Sequence, residues 1–114
     1  MPIRTFTVTP APGKWVVRAG GAILGESSRA LALEEEGRDP VIYFPREDLG
    51  MAFLEPTETM TRLPEKGAAR HFTIVAKSGP IEDAAWSYET PEPELAALAG
   101  FIAFAPRKAV VEQV

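Results

Sequence analysis

The stretch DPVIYFPREDLG, residues 39–50, contains the pattern that predicts the fold of this chain. Its apolar run, residues 41–44, is β-branched and aromatic, which favours a strand, and Pro45 ends that strand. The next residues predict a single helical turn, because Glu47 and Asp48 lie early, where the helix dipole favours acids. A fold of short strands, each closed by a proline or a glycine, is therefore expected.

Composition supports one ordinary globular domain that covers residues 1–114. The hydrophobic fraction of 46% and the charged fraction of 25% are average for soluble proteins, which argues against disorder, coiled coils and membrane proteins. The 11 prolines and 9 glycines are scattered between short apolar runs, as in proteins with many short strands. We expect a mainly β protein, α+β at most, with a compact antiparallel fold that is tent-like or barrel-like.

Charge and residue types exclude several kinds of partner. A formal net charge of -4 repels a phosphate backbone, so we expect no nucleic acid partner. No apolar run approaches the roughly 20 residues that span a bilayer, and the opening MPIRTFTVTP lacks a signal-peptide core, so we expect a cytoplasmic protein without a membrane partner. With no cysteine and one histidine, no resident metal or cofactor is expected, although an oxygen-ligated magnesium ion is possible in an enzyme.

The remaining strands follow the same pattern. Alternating or β-branched runs predict strands in IRTFTV, WVVRA, AILGES, ARHFTIVA, IEDAAWSY, FIAFA and KAVVEQV. The Gly20-Gly21 pair predicts a hairpin turn. The prolines before Glu94 and the glycine at position 100 predict one short helix near residues 92–99.

Two segments are less clear. Residues 27–36 suit either a short helix capped by serine or a strand, and the spacing of Leu31 and Leu33 favours the strand. Residues 55–67, EPTETMTRLPEKG, predict a long irregular connection, which in a small domain is more often functional than idle.

The charged turn offers the first candidate site. Arg46 could bind a carboxylate or phosphate through two hydrogen bonds, while Glu47 and Asp48 could transfer a proton or hold magnesium as catalytic residues. The alternative is that the two acids only complement the helical turn.

Two further groups are candidates for ligand binding. Lys66 and Gly67 could approach an anion, or could form a solvated turn before a strand. Trp86 and Tyr88, two residues apart, would lie on one face of a strand with Ser87 on the other, and could either form the floor of a pocket or belong to the core. His71 has no accompanying nucleophile at a recognisable spacing and is expected to be a strand residue.

The blocks VIYFPRED, LEPTETMTRLPEKGAARH, EDAAWSYETP and GFIAF resemble the bacterial domain-of-unknown-function family number 427, which carries a nucleotidyltransferase-type label. The resemblance covers residues 16–111. It implies a compact antiparallel β fold with little helix, but the chain has no Gly-Ser pair followed by paired acids, as polymerase-like nucleotidyltransferases have. The positions that match the family pattern are Tyr43, Phe44, Pro45, Asp48, Leu54, Pro56, Thr61, Pro64, Lys66, Gly67, Trp86, Tyr88, Pro91, Ala103 and Phe104.

The chain departs from the family pattern at three positions, and the matching blocks contain the candidate residues named above. Leu63 stands where members often have cysteine, His71 where an aromatic is commoner, and Ala105 where tyrosine is frequent. Since the candidate residues lie within the matching blocks, we expect one pocket formed by segments 43–48, 61–67 and 86–88. Its predicted ligand-binding residues are Tyr43, Arg46, Thr61, Lys66, Gly67, Trp86 and Tyr88.

Three functions follow as hypotheses. The first is a domain that binds a small anionic molecule, planar or nucleotide-like, in this pocket. The second is a magnesium-assisted enzyme, of nucleotidyltransferase or another type, that uses Asp48 or Glu47. The third is a structural module that self-associates, as a homodimer for instance, through an exposed strand edge.

Overall fold

The computed structural model describes residues 6–114, which form strands with little helix. The strands are β1 Phe6–Pro10, β2 Trp15–Ala19, β3 Ala22–Ser27, β4 Leu31–Glu35, β5 Val41–Tyr43, β6 Leu54–Leu63, β7 Gly67–Ala76, β8 Gly79–Pro91, β9 Ile102–Phe104 and β10 Val110–Gln113. Short 3-10 helices are found at Arg46–Asp48, Met51–Phe53 and Pro93–Leu98. The mainly β prediction is confirmed, although positions 3–5 of the first predicted strand lie outside the described residues.

The strands form three antiparallel sheets. One has the order β1-β4-β5, the second β10-β2-β3, and the third β6-β7-β8-β9. The described residues form no closed barrel, so the barrel-like alternative is dropped. None of the helices in the described part of the chain has the length and apolarity needed to cross a membrane.

Several local predictions are confirmed. Gly20 and Gly21 have φ values of +58° and +80° and connect β2 to β3, as the hairpin prediction requires. The ambiguous segment 27–36 contains strand β4. The two predicted helical turns are present, at Arg46–Asp48 and Pro93–Leu98, but both have 3-10 geometry.

The prediction of an irregular connection over residues 55–67 is wrong, because most of this segment is strand β6. β6 pairs with β7 and lies at the end of its sheet, where a proline such as Pro56 is tolerated. A bulge places residues 57–59 opposite His71. The Thr57 hydroxyl donates to the His71 carbonyl at 3.2 Å and accepts from the Thr59 N–H at 3.2 Å, so a threonine side chain satisfies the interrupted backbone.

An isolated bridge between Phe44 and Ile102 connects the backbones of two of the sheets. Each residue donates its N–H to the carbonyl of the other, at 2.8 and 2.9 Å. The Phe44 ring is fully buried and meets Phe104 edge to face, with 5.9 Å between ring centroids. Because β5 and β9 belong to different sheets, this bridge joins the sheet β1-β4-β5 to the four-stranded sheet.

A cluster of buried side chains fills the space beside this bridge. It contains Leu33, Tyr43, Ala69, Tyr88, Leu95, Leu98 and Ala103. Leu95 and Leu98 come from the 3-10 helix Pro93–Leu98 and are fully buried, so this helix closes one end of the cluster. The cluster supports the aromatic residues of the candidate site.

We expect Phe44→Ala to lower the free energy of unfolding by about 3 to 5 kcal/mol, because it leaves a cavity beside the bridge. The measurement is equilibrium unfolding in urea. Phe53→Ala is the matched control: the residue is 37% exposed against 0% for Phe44, so its loss should be roughly 1 kcal/mol. If both variants lost the same free energy of unfolding, the burial of Phe44 beside the bridge would not stabilise the fold as expected.

Candidate functional site

Three aromatic side chains from two strands meet in one place. Tyr43 ends β5, while Trp86 and Tyr88 occupy alternate positions of β8. The Tyr43 ring lies edge to face with Trp86 at 6.5 Å and tilted against Tyr88 at 6.4 Å. The Trp86 indole N–H donates to the Tyr43 hydroxyl at 3.1 Å, which fixes both rings.

Charged groups border this aromatic floor. The Lys66 ammonium lies 3.0 Å from the Glu35 carboxylate, and Arg38 Nε lies 3.3 Å from the other oxygen of Glu35. The side chains of Glu35, Lys66 and Arg38 are 6%, 16% and 65% exposed, so the acid is the innermost of the three. Lys66 also lies 5.5 Å from the centroid of the Phe6 ring.

These six side chains, Glu35, Arg38, Tyr43, Lys66, Trp86 and Tyr88, line a recess of about 220 Å³, which we call the cleft. Leu33, Asp39 and Val41 complete its walls. Aromatic surface and convergent charged groups in one concave site are typical of ligand pockets.

Burial raises the pKa of the two tyrosines of the cleft. Loss of solvent raises the pKa of Tyr43 far above its usual value, and the bond from Trp86 only partly opposes this shift. Burial and the nearby charge of Glu35 raise the pKa of Tyr88 as well. An ordinary tyrosine, with a pKa of about 10, is already protonated at neutral pH, and these shifts extend the neutral form of both phenols to higher pH.

Arg46 does not line the cleft. It donates to the Gly100 carbonyl at 2.7 Å and to the Ser87 hydroxyl at 3.3 Å, and it pairs with Glu89 at 3.1 Å. Ser87 is fully buried and points away from the face that carries Trp86, as predicted from the alternation of a strand. Arg46 thus ties β8 to the chain before β9 on the opposite face of the sheet.

Glu47 and Asp48 do not line the cleft either. Asp48 accepts from the buried Ser27 hydroxyl at 2.7 Å and pairs with Arg29 at 2.9 Å. Glu47 is 67% exposed and lies 3.7 Å from the same arginine. The Asp48 contacts fasten the turn Arg46–Asp48 to the end of β3, a role that neither sequence interpretation included.

The remaining predicted residues have other partners. The Thr61 hydroxyl lies 2.8 Å from His71 Nε2, outside the cleft. Gly67 has a φ of +108°, and an added Cβ would lie 3.0 Å from the Thr90 carbonyl oxygen. The backbone of Gly67 therefore lies close to the neighbouring strand β8. Among residues 6–114, no group of three or more histidine, aspartate or glutamate side chains is placed to hold a metal ion.

Sequence reasoning missed Glu35 and Arg38. Glu35 belongs to a run of three glutamates, residues 34–36, which reads as a solvated segment. The available signal was the period of two in β4, because Leu31, Leu33 and Glu35 share one face of the strand. A carboxylate on the apolar face of a strand requires a cationic partner, which Lys66 provides.

Asp48→Asn should lower the free energy of unfolding at pH 7. The difference in this free energy between the variant and the native chain should become smaller as the pH falls. Hydrogen bonds from Arg29 and Ser27 lower the pKa of Asp48 in the folded protein. The carboxylate therefore contributes stability above its unfolded pKa of about 3.9, and this contribution is lost as the pH falls through the lower folded value.

The measurement is urea unfolding of both chains between neutral and strongly acidic pH. Glu47→Gln is the control, since its more exposed carboxylate should change the free energy of unfolding less at neutral pH. A pH-independent loss in Asp48→Asn would contradict the assignment of the effect to ionised Asp48.

Comparison with models of protein families gives a match over residues 7–114 to the family described as Domain of unknown function (DUF427). No curated protein matches the chain. The match covers nearly the whole chain and confirms the resemblance carried by its sequence blocks, so this protein belongs to the DUF427 family.

Proposed function

We propose that this protein binds a small planar molecule with an anionic group, and that the cleft is the binding site. The observation that supports this proposal is the convergence of Tyr43, Trp86 and Tyr88 with two cationic side chains, Lys66 and Arg38, on one recess. Aromatic rings provide stacking surface, and the cations provide the matching charge.

The aromatic floor suits a flat ligand. Trp86 is half-buried, so part of its indole remains open to the cleft, whereas Tyr43 and Tyr88 are buried beneath it. The bond from the indole N–H to Tyr43 holds the ring in place before a ligand arrives. A ligand that stacks on a fixed ring loses less affinity to the ordering of side chains.

The placement of the charges leaves donors available to an anion. The lining carries two negative side chains, Glu35 and Asp39, and two positive ones, Lys66 and Arg38, and Glu35 lies deeper than either cation. An ammonium has three N–H donors, and the contact with Glu35 uses one of them. A carboxylate or phosphate on the ligand would accept from the cations without displacing Glu35.

The volume limits the size of the ligand. At about 220 Å³ the cleft is below the 300 to 1,000 Å³ that is usual for sites of drug-sized molecules. A single ring with one acidic group fits this volume better than a complete nucleotide. The site therefore gives the nucleotide-like version of the hypothesis less support than the planar-acid version.

The two other hypotheses gain no comparable support. Asp48 and Glu47 pair with Arg29 away from the aromatic rings, so their geometry does not favour a catalytic role in the cleft. Strand β6 offers an edge for self-association, but the bulge at residues 57–59 and Pro56 interrupt its pairing pattern.

We expect benzoate to bind the native chain and Lys66→Gln to weaken that binding at least tenfold, because a hydrogen bond to a charged group contributes about 1.5 to 3 kcal/mol. Binding is measured from Trp86 fluorescence in a Trp15→Phe background, where Trp86 is the remaining tryptophan. Thermal shift provides a second readout.

Lys77→Gln, at an exposed position outside the cleft, is the matched control and should bind like the native chain. Benzylamine, a cation of similar size, should bind more weakly than benzoate. Equal affinity of Lys66→Gln and native chain for benzoate, or tighter binding of benzylamine, would sink the proposal.

A further inference from the structure

A second recess lies where β5 and β9 separate beyond the Phe44–Ile102 bridge. Continued antiparallel pairing would place Ile42 opposite Phe104, but the strands do not pair there. The gap has a volume of about 450 Å³. We call it the apolar recess, and its side chains include Ile42, Phe104, Pro106, Ala109, Val110 and Val111.

The apolar recess and the cleft share part of their walls. Asp39, Val41 and Trp86 line both. Trp86 therefore has the charged groups of the cleft on one side and apolar side chains on the other. A molecule stacked on its indole would reach both spaces at once.

From this continuity we infer that the ligand is amphipathic, with an acidic head at Lys66 and Arg38, a ring on Trp86 and an apolar tail in the apolar recess. This inference rests on the proposed function of the cleft and specifies the class of ligand. It extends the ligand beyond the small volume of the cleft into a space twice as large.

The lining of the apolar recess supports an apolar occupant. Apart from Asp39, its side chains are aliphatic, aromatic or proline. Val110 is 49% exposed, and Ile42 and Val111 are partly exposed, so a tail would remove apolar surface from water. The volume of about 450 Å³ lies in the range of small-molecule sites.

The experiment compares benzoate with 4-butylbenzoate, again through Trp86 fluorescence in the Trp15→Phe background. Each buried methylene contributes about 0.8 kcal/mol, or roughly a fourfold gain in affinity, so a butyl tail in the apolar recess should bind at least tenfold tighter. Val110→Ser should reduce this gain severalfold and leave the affinity for benzoate unchanged.

Ile23→Ser is the matched control, because Ile23 is 59% exposed and does not line the apolar recess. It should leave the affinities for both compounds unchanged. If the native chain binds benzoate and 4-butylbenzoate with equal affinity, the inference fails while the proposed function stands. The inference also fails if Val110→Ser leaves the higher affinity for 4-butylbenzoate unchanged. If neither compound binds, the proposed function fails and the inference fails with it.

Discussion

The pair of hydrogen bonds between Phe44 and Ile102 is the constraint on which the site depends. The residues beside the bridge are Tyr43 on one strand and Ala103 on the other, and Ala103 pairs with Trp86 of β8. Joining the strands at this point therefore brings the Tyr43 hydroxyl to the Trp86 indole. Because pairing stops at the bridge, the same contact leaves the gap that forms the apolar recess.

Two charged networks lie on opposite faces of the four-stranded sheet. Arg46 and Arg70 share Glu89 on one face, where Arg46 also binds a backbone carbonyl and Ser87. On the other face Glu35 meets Lys66 and Arg38 beside the aromatic rings. The first network has its arginines engaged in holding strands together. The second combines positive charge with open aromatic surface, which is why only that face supports a binding proposal.

The strands, the Gly20-Gly21 hairpin and the alternation of Trp86, Ser87 and Tyr88 could be predicted because each depends on neighbouring residues alone. Strand β6 could not, since an edge strand tolerates the proline and charges that usually indicate a loop.

The residues of the candidate site also differ in how far local sequence could predict their positions. Tyr43 and Arg46 are three residues apart, yet the turn after Pro45 sends them to opposite faces, so proximity in sequence was misleading. Lys66 reaches the cleft by pairing with Glu35, a long-range contact that no local pattern contains.

Trp86 lines both the cleft and the apolar recess and so connects the two spaces. Its indole N–H donates to the Tyr43 hydroxyl, and this bond holds the ring in one orientation. The ring lines both spaces. A ligand would meet a preformed floor, and the affinity would depend on how well its head and tail match the charged and apolar ends. If the proposed ligand binds here, selectivity would come from the distance between these ends, since a molecule too short to span the indole would use only one of them.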